Sequence, residues 1–166
     1  IGSRAVSMLN KDFNGVAGRM NNAEQNMFNE FVAKVDAIEN YYYKREFAKA
    51  INIIIEISDQ TNKYFSDNEP WKLLTSNKEL AHEVCTFSLN AFKLISVMLK
   101  PVLPKLSADI EKILNLSFQQ WNDAKNALPE NYKIQMFNQI LSRVDAKNVA
   151  NMIDTNTDDA KSIKTE

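Results

Sequence analysis

Apolar residues recur every three or four positions along most of this chain, which is the spacing that places side chains on one face of an α-helix. The alternation of apolar and polar positions that is typical of half-buried strands has little support. Only three glycines and four prolines are present to interrupt the helical pattern. The sequence therefore predicts an all-α fold in which amphipathic helices pack into a bundle.

The first half of the chain contains three predicted helices. The first is predicted to end at Gly15, and Asn22 is predicted to cap the second. The apolar stripe of the second helix runs without a break over residues 27–42. The third helix covers about residues 44–65, with Phe47 among its inward positions. Its wide apolar arc indicates contact with more than one neighbouring helix.

The second half is dominated by one predicted helix that is apolar on two sides. Residues 79–100 carry two apolar stripes, and Pro101 is predicted to end the helix. A helix of this kind is expected at the centre of a bundle. Ser107 is predicted to cap a further helix. The pattern then loosens, and Trp121 is predicted to lie as a cover over the bundle.

A polar turn interrupts the helical pattern within residues 62–74. Pro70 suits the first position of a new helix because it has no amide hydrogen and a fixed φ, and Asn68 or Glu69 is the expected cap. Trp71 follows directly. A tryptophan in a helical protein usually serves in packing, but a flat ring beside unpaired helix-start amides can also stack on an RNA base.

Length and charge set limits on the function. The 166 residues suit one globular domain, which we expect over residues 1–153, followed by a polar linker or tail over residues 154–166. The net charge of −1 is unfavourable for a protein that binds nucleic acid mainly through phosphate contacts. A module that reads a few unpaired bases could still be near neutral.

No catalytic or metal site can be assembled from the sequence. His82 is the only histidine, and the pair it forms with Glu79 is expected to face solvent. Cys85 has no second cysteine to pair with and is predicted to be a buried, reduced thiol. Neither a membrane-length apolar run nor a signal-peptide pattern is evident, so a cytoplasmic location without a membrane partner is expected.

Five stretches, in order, give the chain a family resemblance. They are Ser3-Arg4-Ala5 with Leu9-Asn10-Lys11-Asp12-Phe13-Asn14-Gly15, Lys44-Arg45-Glu46-Phe47, Asn62-Lys63-Tyr64 with Glu69-Pro70-Trp71-Lys72-Leu73, Leu99-Lys100-Pro101-Val102-Leu103-Pro104-Lys105-Leu106, and Phe137-Asn138-Gln139-Ile140-Leu141-Ser142-Arg143-Val144-Asp145. Together they resemble the anticodon-binding domain of bacterial methionyl-tRNA synthetase, a class I aminoacyl-tRNA synthetase. The resemblance implies a helical bundle of the class I anticodon-binding type.

The resemblance also implies roles for particular residues. Trp71, presented by Pro70, would stack on anticodon bases of methionine tRNA, beginning with the cytosine of its CAU anticodon. Arg4 would donate hydrogen bonds to that base, and Asn62 would support the RNA or the Trp71 turn. A further recognition asparagine would fall just before Ile1, so the start is expected to be truncated.

The chemistry of the family would lie outside this chain. The resemblance implies a full-length parent that joins methionine to its tRNA with ATP and magnesium, whereas the two class I signatures that bind ATP are absent here. No cofactor, and no activity, is therefore expected of this chain alone. Its expected partners are the anticodon loop of methionine tRNA and the catalytic domain of the parent, towards which the segment near residues 136–153 would return.

Two other functions remain open at this stage. The anticodon domain of another class I synthetase would share the bundle, although it should lack the sequence Glu69-Pro70-Trp71-Lys72-Leu73 at this place. A helical protein-interaction module would instead use Trp71 and the tyrosines at positions 41–43 to bind a partner helix.

Overall fold

A computed structural model describes residues 2–118 and 120–136 and shows a bundle of α-helices, as predicted. Between those bounds, the one β-type contact is an isolated bridge between Val16 and Lys133. The helices are α1 (Gly2–Asp12), α2 (Asn22–Val32), α3 (Val35–Tyr43), α4 (Phe47–Asn68), α5 (Pro70–Ser76), α6 (Lys78–Leu99) and α7 (Pro104–Leu114), followed by a 3-10 helix, Trp121–Ala124. The predicted segments beyond residue 136, including the tail, lie outside the described residues.

Helix α6 is the centre of the bundle, which confirms the prediction from its two apolar stripes. Every other helix named above packs against it. Its buried side chains include residues from both stripes, such as Val84 and Phe87 on one and Cys85 and Leu89 on the other. Because α6 is enclosed on all sides, the surrounding helices are positioned chiefly by where they contact it.

The predicted continuous helix over residues 27–42 is wrong. The chain turns after Val32, and α3 starts at Val35. Phe31 and Val35 are both fully buried, so the apolar spacing continues across the break although the helix does not. Neither glycine nor proline marks this break, which explains why the pattern did not reveal it.

The start of α2 is fixed by Asn21 rather than by Asn22. The Asn21 side chain accepts a hydrogen bond from the Glu24 amide at 3.1 Å, and the Glu24 carboxylate accepts one from the Asn21 amide at 2.9 Å. This reciprocal pair satisfies two of the unpaired amides at the helix start. The second Glu24 oxygen accepts a 2.6 Å hydrogen bond from the Tyr64 hydroxyl, which ties α2 to α4. Burial raises the pKa of Glu24.

Ser107 does not cap a helix. Helix α7 begins three residues earlier at Pro104, whose fixed φ suits the first helical position. The fully buried Ser107 hydroxyl instead donates a 2.8 Å hydrogen bond to the Ser96 carbonyl on α6. The short polar side chain thus joins two packed helices.

The expected solvent-facing pair of Glu79 and His82 is also wrong in part. Glu79 is exposed and pairs with Arg19 at 2.5 Å. His82 is half-buried, with its ring stacked on Phe13 at 4.3 Å between centroids and its Nε2 2.8 Å from the Val16 carbonyl oxygen. Across residues 2–118 and 120–136, no three His, Cys, Asp or Glu residues are grouped so as to hold a metal ion. None of the helices within those ranges has the length and apolar character needed to cross a membrane.

Cys85 is fully buried in α6, as predicted, and burial raises the pKa of its thiol to about 12. The native chain is therefore expected to react extremely slowly with a disulfide reagent such as dithionitrobenzoate near neutral pH. In denaturing urea the single thiol should react completely. Absorbance at the wavelength of the released thiolate measures both rates. Rapid reaction of the native chain would show that α6 is accessible to reagent, in contradiction to this packing.

Candidate nucleic-acid interface

The candidate site is built on the sharp turn between α4 and α5. Helix α4 ends at Asn68, and Glu69 takes a left-handed conformation with φ 43° and ψ 56°. Pro70 then opens α5, which confirms its predicted place at the start of a helix. Glu69 is the N-cap residue, but its side chain makes no capping hydrogen bond. This unusual backbone sets the direction in which the next residue, Trp71, is presented.

Trp71 is neither sealed in the core nor a free surface residue. Its side chain is 44% exposed, whereas Pro70 beside it is buried. The inner edge of the indole packs against Phe65, with ring centroids 6.1 Å apart and planes inclined by 46°. Because one part of the ring is packed and the rest is open, the indole offers a fixed aromatic surface to a partner.

Arg4 of α1 also contacts Phe65. Its guanidinium carbon lies 5.1 Å from the centroid of the Phe65 ring, within the range of a cation–π contact. Arg4 and Trp71 therefore share Phe65 as a contact partner, although 67 positions separate them in the sequence. Phe65 is thus the residue that connects the Arg4 guanidinium group with the exposed indole.

The hydrogen-bond donors of Arg4 are not taken up by any residue that the structure describes. Arg4 is exposed, and it makes no ion pair or hydrogen bond to any other residue within 2–118 or 120–136. Arg19 differs, because it pairs with both Glu79 and Glu83. A guanidinium group that is held by a ring but not by a carboxylate keeps its donors available for a ligand.

Asn62 lies one helical turn before Phe65 on α4, so the two residues share a face of that helix. Its side chain is half-buried, and it makes no hydrogen bond to the residues that the structure describes. The amide can both donate and accept, which leaves it able to contact a base. Of the four predicted residues, Arg4 and Trp71 share a contact partner, Pro70 adjoins Trp71, and Asn62 lies beside that partner on α4.

The charged residues near the turn are paired locally. Glu69 forms an ion pair with Lys72 at 2.8 Å, and Lys63 forms one with Asp67 at 2.7 Å. These exposed pairs contribute little to stability. They do reduce the net charge around the indole, so the character of the site comes from its aromatic surface and from the Arg4 guanidinium group.

Phe65 is the site residue that the sequence reasoning missed. The predicted inward positions of its helix ended at Tyr64, but Phe65 is fully buried. The signal was present, because Ile57, Thr61 and Phe65 follow one another at intervals of four residues and all three are buried. Its contact with Arg4 could not be found in this way, since periodicity says nothing about residues that are distant in sequence.

Comparison with solved structures identifies the class of fold. The chain is similar to the apo form of Mycobacterium tuberculosis methionyl-tRNA synthetase, with a TM-score of 0.78 and 17% sequence identity, over 87% of this chain and 31% of that one. It is also similar to the same synthetase in complex with methionyl-adenylate, with a TM-score of 0.79 and 15% identity, over 86% and 30% of the two chains. The bundle thus has the same fold as the part of that synthetase which it matches.

Sequence comparison identifies the family. A family model described as the anticodon binding domain of methionyl tRNA ligase matches residues 15–154. The methionine–tRNA ligase of Thiobacillus denitrificans is 35% identical over 94% of this chain, and that of Nitrosospira multiformis is 31% identical over 100% of it. The chain belongs to the family of methionyl-tRNA ligase anticodon-binding domains. It spans 23% and 25% of the length of those two relatives.

The family match confirms the predicted resemblance and the predicted all-α fold. The family model begins at residue 15, so it covers Asn62, Pro70 and Trp71 but not Arg4. Arg4 is linked to the candidate site by its contact with Phe65.

Proposed function

We propose that this domain reads the CAU anticodon of methionine tRNA by stacking and hydrogen bonding at the surface formed by Trp71 and Arg4. The main observation in support of this function is that both side chains contact Phe65 while Trp71 remains 44% exposed. Unpaired bases can lie on an aromatic ring, with each stacked base contributing about 1–3 kcal/mol. Asn62 and Pro70 act beside them, the first as a polar contact and the second by directing Trp71.

The chemistry of Arg4 suits the first base of that anticodon. A guanidinium fork can donate to the O2 and N3 acceptors of cytosine at the same time, which a single ammonium group could not do with the same geometry. Uracil carries a proton on N3, so the same fork would meet a donor there. Discrimination would therefore come from the Watson–Crick edge, and the indole would supply affinity that depends little on the base.

The near-neutral charge of the chain is consistent with recognition through base contacts and not through phosphate contacts. With a net charge of −1, the domain has little excess positive charge for phosphate contacts. Its affinity for RNA should therefore depend less steeply on salt than that of a basic RNA-binding domain. In the proposed full-length parent, a catalytic domain binds the rest of the tRNA and joins methionine to it with ATP and magnesium. The domain described here acts as its anticodon reader.

Replacing Trp71 with alanine should weaken binding to an RNA hairpin with CAU in its loop by about tenfold to a hundredfold, because one stacked base is lost. Fluorescence anisotropy of a labelled hairpin measures the affinity. In a Trp121→Phe background, Trp71 is the only tryptophan, and its emission should be quenched as the hairpin binds. The fold should be retained, because the indole lies at the surface with 44% of the residue exposed and is not part of the buried core.

Two controls make the test specific. Tyr43 is 77% exposed, so Tyr43→Ala removes an aromatic surface away from the site and should leave the affinity unchanged. A hairpin with the loop sequence changed at the CAU positions should bind at least several-fold more weakly. Equal binding of both hairpins would favour a protein-interaction module instead. Loss of binding with Tyr43→Ala but not with Trp71→Ala would show that the RNA contacts lie at Tyr43 and not at Trp71, which contradicts the proposed site.

A further inference from the structure

Both proposed recognition side chains contact Phe65. It lies near the end of α4, with its side chain fully buried. Arg4 covers the ring at 5.1 Å from its centroid, and the Trp71 ring lies 6.1 Å away. A fully buried ring cannot touch RNA, so any effect of Phe65 on RNA binding must act through these two neighbours.

The Phe65 ring can order the exposed Arg4 side chain without accepting its hydrogen bonds. A long, flexible side chain on a surface helix samples many rotamers, and ordering it on binding lowers affinity. A carboxylate would order Arg4 but would also accept its hydrogen bonds. The face of an aromatic ring attracts the cation and offers no lone pair, so it orders the guanidinium group and leaves donors for the ligand.

We infer that Phe65 is a positioning residue that holds the Arg4 guanidinium group in a fixed place relative to the Trp71 indole, ready for one anticodon base. This inference rests on the proposed function. The aromatic character of Phe65 is required for it, and not only its bulk, because an aliphatic side chain would pack against Trp71 without attracting the Arg4 cation.

A double-mutant cycle tests the inference. Phe65→Leu keeps an apolar side chain under Trp71 but removes the ring under Arg4, and it should weaken CAU-hairpin binding by about threefold to tenfold. In an Arg4→Met background the same change should alter affinity by less than about twofold, because the guanidinium group that the ring positions is already absent. Phe31→Leu is the matched control, since Phe31 is fully buried but contacts Phe87 instead.

A second measurement does not depend on RNA. The ring current of Phe65 should shift the side-chain NMR resonances of Arg4 in the free domain. Phe65→Leu should remove that shift and Phe31→Leu should preserve it. If Phe65→Leu lowers stability too far, Phe65→Met serves in its place, and urea denaturation establishes that each variant is folded under the assay conditions.

The outcomes separate this inference from the proposed function. If Arg4→Met and Trp71→Ala weaken CAU binding but Phe65→Leu binds as tightly as wild type, the positioning role is wrong and the recognition site stands. If Phe65→Leu weakens binding equally in both backgrounds, Phe65 acts only through general packing and the inference is again overturned. If neither Arg4→Met nor Trp71→Ala affects binding, the proposed function fails and the inference fails with it.

Discussion

Replacing Phe87 with alanine is expected to lower the free energy of unfolding by about 3–5 kcal/mol, as large truncations in a packed core do. Phe87 lies in the middle of α6 and is fully buried. Its ring is 6.0 Å from that of Phe31 on α2 and makes an edge contact at 4.8 Å with Tyr64 on α4. The change therefore opens a cavity where three helices meet.

Urea denaturation followed by circular dichroism measures this loss. Phe47→Ala is the matched control, because Phe47 is 53% exposed and its truncation leaves no enclosed cavity. It should cost no more than about 1 kcal/mol, within the range of surface substitutions and a weak aromatic contact. A loss below about 1 kcal/mol for Phe87→Ala would mean that α6 is not the packed centre of the bundle.

The position of Phe87 was predictable because the signal is strong along α6. Apolar residues on two sides of a long helix cannot all be buried against a single neighbouring helix. A central place in the bundle, with helices on both sides, is therefore expected. Phe47 was predicted to face inward from the same kind of pattern, and that prediction is wrong. It is the first residue of α4, so no earlier turn of that helix covers the ring. Its one ring contact among the residues that the structure describes is with Tyr42, at 6.1 Å between centroids.

Helix boundaries were the least predictable part of the fold. Breaks that leave the apolar spacing intact, such as the one after Val32, have no signature in a periodic pattern. The start of α7 shows a related difficulty, because Pro104 and Ser107 are both favourable near a helix start. In the structure Pro104 takes the first position and Ser107 bonds to Ser96 on α6, a tertiary contact that local rules cannot anticipate.

The candidate site was predictable only in its local part. The Pro70–Trp71 turn follows from proline chemistry, and the family resemblance indicated that Trp71 should be available to RNA. Exposure of Trp71 could not be derived from the sequence pattern, since a tryptophan suits both core and surface. The link to Arg4 depends on Phe65, which brings together α1 and the end of α4 through tertiary packing.

Helix α6 contains a second feature that the sequence did not indicate, a buried lysine. Lys93 is 5% exposed, and its ammonium group donates hydrogen bonds to the carbonyl oxygens of Asp123 and Asn126. Asn90, one turn earlier, accepts a 2.7 Å hydrogen bond from the Leu128 amide. These polar side chains hold the segment that follows α7 against the central helix, because they give its backbone carbonyl and amide groups hydrogen-bond partners on α6.

Burial gives Lys93 a measurable effect on stability. Burial lowers the pKa of the Lys93 ammonium group from 10.5 to about 8. Above about pH 8 the folded chain releases this proton while the unfolded chain still holds it, so the unfolded state binds more protons and stability rises with pH. Between about pH 7 and pH 9 the rise should be roughly 1 kcal/mol, and it should approach about 3 kcal/mol above the unfolded pKa.

Lys93→Met removes the titrating group while keeping an unbranched side chain in the same space. Urea denaturation at a series of pH values gives the free energy of unfolding of wild type and variant. The difference between the two free energies should rise with pH, and taking this difference cancels the titration of groups that both chains contain. Lys112→Met, which removes an exposed lysine, should leave the pH dependence of wild type unchanged. Parallel curves for wild type and Lys93→Met would show instead that the Lys93 amine stays as well solvated in the folded chain as in the unfolded one.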